Sequence, residues 1–144
     1  MAGATVKNPF AAFRFLVEIT GLVVGGFNEV SGLQVETETE EYREGGVNGY
    51  IHKLPKVTKS PLLVLKRGLT DADNLWGWHQ EVAAGIIKRK SVCVIMLDGA
   101  GGERWRWTFL DAYPVKWSGP EFRGDGSALA VETLELAHRG ISKG

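Results

Sequence analysis

Apolar and polar residues alternate along most of this chain, and the alternation gives way to helical spacing over one stretch. In Phe13-Arg14-Phe15-Leu16-Val17-Glu18-Ile19 every second residue is apolar, which puts Phe13, Phe15, Val17 and Ile19 on one pleat face of a strand. Gly25-Gly26 and Ser31-Gly32 bracket Phe27 to Val30, a brief strand or a loop crossing. The most regular alternation follows. Leu33, Val35, Thr37 and Thr39 fall on one side and Gln34, Glu36, Glu38 and Glu40 on the other, so the reading is one dry face and one acidic face. The polar, glycine-rich run Arg43, Glu44, Gly45, Gly46, Val47, Asn48, Gly49 then reads as the long loop of a hairpin returning through Tyr50 to Leu54.

Pro55 and Pro61 frame the next stretch, and Leu62-Leu63-Val64-Leu65 reads as a strand buried on both faces. At Thr70-Asp71-Ala72-Asp73 the period changes. Thr70 or Asp71 is placed to cap a helix running from Asp71 to Ala84, with Leu75, Trp78, His79, Val82 and Ile86 at 3.6-residue spacing and Leu75, Trp78 and Val82 as its inward stripe. Gly85 weakens the end of that helix, and Lys88-Arg89-Lys90 suits a helix C-terminus or a solvated turn. Ser91 to Leu97 and Arg104 to Leu110 form a hairpin across Asp98 to Glu103, the second strand carrying Trp105, Trp107 and Phe109 on one face. Ala128 to His138 closes the chain as another strand. The fold class is therefore mainly β with one α-helix: a barrel or two packed antiparallel sheets of about seven or eight strands.

A chain of 144 residues fits one domain with a real core, and the whole of 1–144 is read as such. Lys plus Arg and Asp plus Glu both number 17, which removes the broad basic field needed to hold nucleic acid or anionic lipid without specificity. No apolar run approaches the roughly 18 residues of a membrane span, because Arg14 and Glu18 interrupt Phe10 to Ile19. Cys93 lies in an apolar run and reads as a structural thiol.

Candidate chemistry is sparse. His52, His79 and His138 fall in different elements without metal-ligand spacing, and Asp71-Ala72-Asp73 lacks the later oxygen ligand and glycine of a calcium loop. Gly99-Ala100-Gly101-Gly102 joins two strands, so no helix N-terminus points at a phosphate there. No nucleophile elbow, P-loop or Ser/His/Asp spacing is present. The expectation is no enzyme, no metal and no cofactor. Trp76, Trp78, Trp105, Trp107 and Trp117 leave a competing reading open, a monomeric β-barrel whose tryptophans line a small-ligand pocket.

Three stretches carry a resemblance: "NPFAAFRFLVEITGLVVGGFNEVSGLQVETETEEYREGG", "HKLPKVTKSPLLVLKRGLTDADNLWGWHQEV" and "ALAVETLELAHRGI". Their order and separation resemble the inner tube proteins of contractile phage tails and extracellular contractile injection systems over nearly the whole chain. Arg139 departs from the pattern, which usually has an acidic residue after His138. The resemblance implies a homo-hexameric ring, stacked rings forming a hollow conduit for cargo or DNA, and strands donated to one ring-wide barrel. It implies as partners a surrounding sheath, spike or baseplate proteins and tube-terminating proteins, with synthesis in the cytoplasm and assembly into a tail or injection particle. On that basis Gln34, Glu36, Glu38 and Glu40 are candidates for the lumen wall, and Arg43 to Gly49 for contacts between subunits and rings.

Overall fold

The computed structural model describes residues 14–22, 27–42, 52–70, 72–126 and 130–144. Nine strands and one helix follow in order among them: β1 (Arg14–Ile19), β2 (Glu29–Ser31), β3 (Glu36–Tyr42), β4 (His52–Lys59), β5 (Leu63–Gly68), α1 (Asn74–Ala83), β6 (Lys90–Leu97), β7 (Glu103–Ser118), β8 (Val131–Ala137) and β9 (Gly140–Lys143). Seven strands form one sheet in the order β1-β6-β7-β8-β5-β2, with β9 added to β7, while β3 and β4 make a separate two-stranded sheet. All pairings are antiparallel.

The long strand β7 turns the sheet into a sandwich. Its first half pairs β6 and β9, and its second half, from Tyr113, pairs β8. The corner lies at Leu110–Ala112, where the register with β6 shifts and Asp111 adopts φ of 49°. A bulge of this kind bends a strand and raises its twist. The β8–β9 turn is fixed to that corner by Arg139, whose amide donates to the Leu110 carbonyl at 2.8 Å and whose Nε lies 2.7 Å from Asp111 Oδ2. An acidic residue at position 139 could not form this pair with Asp111. Two four-stranded leaves result, β1-β6-β7-β9 and β7-β8-β5-β2.

Between them lies a core of Val17, Ile19, Phe27, Leu63, Leu65, Leu75, Trp78, Val92, Val94, Phe109, Ala112, Leu134 and Leu136. The alternation predicts this core well for β1, where Val17 and Ile19 are buried; Phe13 lies outside the described residues. It overstates β5. Leu63 and Leu65 are fully buried but Leu62 is 41% exposed, because β5 belongs to a leaf with one wet side. Trp105, at the far end of its face, is 38% exposed, while Phe109 is covered completely.

The helix is shorter than the sequence suggests. Its N-cap is Asp73, with no side-chain cap hydrogen bond; Thr70 Oγ1 instead accepts from the Ala72 amide at 3.2 Å. Asp71 lies outside the described residues. Gly85, at φ of 90°, ends the helical path in a conformation that side chains other than glycine rarely adopt, so Ile86 falls beyond the helix and is 52% exposed. Leu75 and Trp78 are buried as predicted, whereas Val82 is only half-buried. Two further differences concern strand ends. The last predicted strand, Ala128 to His138, is β8 from Val131 to Ala137 followed by the unpredicted β9, and the strand predicted to stop at Leu110 runs on through Pro114 to Ser118.

Candidate functional site

No enzyme-like constellation is visible, and no group of three or more potential metal ligands gathers among the described residues. What the structure offers is an unusual hairpin. Ser31 pairs Val64 and Glu36 pairs Lys59. Both strands therefore advance five residues between those rungs (36 − 31 and 64 − 59), so nothing is inserted between the two sheets. β2–β3 and β4–β5 are one long ribbon, rooted in the sandwich and pinched where Gly32 crosses Leu62. Gly32 has φ of 99°, and a Cβ there would lie 2.2 Å from the Leu62 carbonyl oxygen. Glycine is required by both geometry and space. A second anchor is His138, whose Nε2 is 3.1 Å from the Pro61 carbonyl oxygen while its ring meets Phe109 edge-on.

Beyond the pinch no layer of the described residues covers the ribbon. Leu33, Val35, Leu54 and Val57 are 42%, 58%, 48% and 52% exposed, and Thr37, Thr39, Pro55 and Thr58 are exposed as well. The face predicted to be dry is thus uncovered within one chain. A two-stranded ribbon open on both sides is marginal in water, and three strands or a packed layer are normally needed. Thr37 and Thr58 hydroxyls meet at 3.0 Å across the strands. Past them the register slips by one residue, two steps on β3 from Thr37 to Thr39 matching three on β4 from Thr58 to Pro55.

The acidic face is less acidic than the sequence of β3 alone suggests. Lys59 Nζ lies 2.5 Å from Glu38 Oε1 and stands opposite Glu36. Its pKa is held above the usual lysine value by the hydrogen bond and charge of Glu38, with Glu36 adding to the effect. Glu41 stands opposite Lys53 in register. Lys59 is 21 positions from Glu38 in the sequence, and only the strand register could reveal that neutralisation. Gln34 lies in the pinch before β3. Arg43 to Gly49 lies outside the described residues.

The sandwich body also carries a buried ionic network that the sequence reading did not single out. Arg67 Nε donates to Glu132 Oε2 at 2.8 Å, Trp117 Nε1 donates to Glu132 Oε1 at 2.9 Å, and Arg67 Nη2 donates to Asn74 Oδ1 at 2.8 Å. Arg67 also covers the Phe27 ring, 5.5 Å from its centroid. Three strands, β5, β7 and β8, and the first turn of α1 are tied together here. A signal was available: Arg67 is in phase with Leu63 and Leu65, and Glu132 with Leu134 and Leu136. The outward face of this leaf is a polar ladder, with Lys66 3.4 Å from Glu29 and Lys116 3.6 Å from Glu135.

The tryptophans do not gather around one cavity. Trp78 is buried under α1, while Trp105 and Trp117 occupy opposite ends of the 16-residue β7, the first stacked near Trp107 and the second meeting Trp76 edge-on.

This β-sandwich with one flanking helix and a ribbon projecting from one leaf can be set beside known proteins. The chain belongs to the family described as T4-like virus tail tube protein gp19, which it matches over residues 11–142. Solved structures agree. A chain of the anti-feeding prophage baseplate is 25% identical with a TM-score of 0.85, covering 96% of this chain and 97% of its own. A chain of the PVC sheath-tube complex of an extracellular contractile injection system, in the extended state, is 25% identical with a TM-score of 0.83, covering 96% of this chain and 93% of its own. Hcp1 from Flavobacterium johnsoniae, at 20% identity, shares the fold with a TM-score of 0.65, covering 91% and 94%. No curated protein matches the chain. This is a tube protein of the contractile tail and injection-system kind, as the resemblance implied, mostly β with a single helix among the described residues.

Proposed function

We propose that the chain is a structural, non-catalytic subunit that closes into homo-hexameric rings, that these rings stack into a hollow tube inside a sheath, and that baseplate and terminating proteins bound its ends. The observation that carries this reading is the long ribbon without a covering layer among the described residues, on a sandwich whose outer strands β1, β2 and β9 pair with no further described strand. Exposed strand borders template pairing with another chain, and an assembly of identical neighbours satisfies them. The leaf β7-β8-β5-β2 is our candidate wall, because its β2 border continues into the ribbon and so offers a neighbour the longest edge. Six such leaves give about 24 strands, beyond the roughly 16–18 at which a closed barrel holds an aqueous channel.

Gln34, Glu36, Glu38 and Glu40 remain candidates for the lumen wall, now with Lys59 beside Glu38 as part of that surface. The acidic members would repel nucleic-acid phosphates or acidic cargo. Arg43 to Gly49 is the candidate segment for contacts between subunits and rings. Assembly would follow synthesis in the cytoplasm and end in a tail or injection particle; no helix among the described residues is long and apolar enough to cross a membrane.

Electron microscopy of purified protein tests the reading directly. Six-fold rings and stacks are the expected images, and uniform monomers at high concentration would overturn it. Deleting Gly45 to Asn48 should leave folded protein that makes no tubes. Tubes of normal length from that variant would remove the loop from the interface.

A further inference from the structure

Between β7 and β8 the chain puts out a charged tip. Residues 121–126 are all exposed, and Arg123, Gly124 and Asp125 follow one another among them. The Gly126 amide donates to the Arg123 carbonyl at 3.1 Å, which closes a tight turn with Gly124 and Asp125 as its middle residues. Gly126 takes φ of 69°, a left-handed conformation that suits glycine at the exit of such a turn. The base is firmly built. Gly119 sits against the Trp117 ring so closely that a Cβ would come within 2.9 Å of it, and Trp117 is itself held by the buried Glu132 and by Trp76. A tip held on a stiff base is pre-organised, so a partner that binds it freezes out little further motion.

The turn offers two opposite charges with only a glycine between them. Arg123 carries a planar guanidinium whose donor fork matches carboxylates. Its neighbour Glu121 lies 3.6 Å away, and with side chains 61% and 82% exposed the two form a surface pair of the kind that is worth little and readily exchanged. Asp125 supplies a carboxylate, the oxygen donor that Mg2+ and Ca2+ take. Gly124 has no side chain to obstruct a partner that reaches both groups. Phe122, 92% exposed, adds an apolar contact surface next to Arg123 in the chain.

We propose that Arg123-Gly124-Asp125 is a recognition tripeptide for a cell-surface adhesion receptor whose site sets an acidic pocket for the guanidinium beside a bound divalent cation for the carboxylate. A nucleic acid or an anionic lipid would attract Arg123 and be repelled by Glu121 and Asp125. A receptor that brings both an acid and a cation satisfies both ends of the turn at once. This role stands whether or not the tube reading holds. On that reading the turn recurs in every subunit, and repeated copies bind a cell surface with an avidity far above that of one copy.

Cell adhesion tests it. Cultured animal cells are plated in Mg2+ on wells coated with the purified protein, and attachment is measured against coating concentration. Cells should attach, EDTA should release them, and a free peptide copying residues 121–126 should compete. Asp125→Glu keeps the charge but moves the carboxylate by one methylene; it should raise the half-maximal coating concentration by at least about 30-fold, the scale of losing an interfacial charge contact. Glu121→Gln should attach cells as the unsubstituted protein does, and circular dichroism should be the same for all three proteins. No attachment to the unsubstituted protein, or equal attachment to Asp125→Glu, would overturn the assignment. Attachment that survives EDTA and fades with salt would overturn it too, since charge alone would then explain the binding. Ring formation is not read in this assay, so its outcome leaves the tube reading to the microscopy above.

Discussion

The two sheets of this protein are built from similar alternating sequence and reach opposite states. In the sandwich each leaf has a partner layer, so Leu63, Leu65, Leu134 and Leu136 lose all contact with water and even Arg67 and Glu132 are buried. In the ribbon the same alternation meets no second layer among the described residues, and Val35, Leu54 and Val57 stay about half exposed. The difference teaches that alternation specifies a face and not what covers it. In the body the cover is intramolecular. For the ribbon, on the function proposed here, it comes from other copies.

The sharpest way to break this contrast is to injure the body at its ionic network. Glu132→Ala leaves the Arg67 guanidinium and the Trp117 indole without their acceptor in a dry interior, and should cost about 3–5 kcal/mol in urea unfolding. Replacing both ions, Arg67→Met with Glu132→Leu, should be far milder. Equal losses for the two variants would show that the pair acts by shape and not by charge.

Gly32→Ala strikes the junction of the two regions. The strained φ alone should cost about 1–3 kcal/mol, and the clash with the Leu62 carbonyl adds to it. Hydrogen exchange is the measurement. Ribbon amides should exchange faster in the variant while β6 and β8 amides keep their protection, and uniform loss across both would mean that ribbon and body unfold as one unit.

The smallest effects are electrostatic and separate the regions by pH. Lys59 has its pKa raised by Glu38, so its contribution is present below the ordinary lysine value and lost as pH rises through the folded value; this concerns the ribbon in alkali. Glu103 has its pKa lowered by its hydrogen bond from Arg106, so its contribution is present above the ordinary carboxylate value and lost as pH falls through the folded value; this concerns the body in acid. Both groups are solvent-exposed, and side-chain NMR titration should find shifts of opposite sign. A Lys59 that titrates at its ordinary value would dissolve the cross-strand pair.

Much of the architecture was legible before any coordinates. The strands through Val17, Leu65 and Leu134, the Asp98 turn and the helix stripe at Leu75 and Trp78 follow from local period and turn chemistry. Helix capping was less legible, because Asp73 holds the N-cap position without a side-chain bond while Thr70 accepts from the Ala72 amide ahead of the helix. Pro114 hid the second half of β7, since proline discourages a strand assignment even where a bend between leaves tolerates it. On the ribbon, Leu33 and Val35 were readable as one face of a strand, but their exposure was not, because local period says nothing about what lies over a face.

The sequence by itself determined which residues alternate, that the helix ends at Gly85, and which side of each strand is apolar, because those depend on neighbours within a few positions. Only the tertiary structure decided that Lys59 neutralises Glu38 and that Arg67 meets Glu132. Those facts come from strand register and direction, which bring together residues 21, 65 and more positions apart in the chain and which no local pattern encodes.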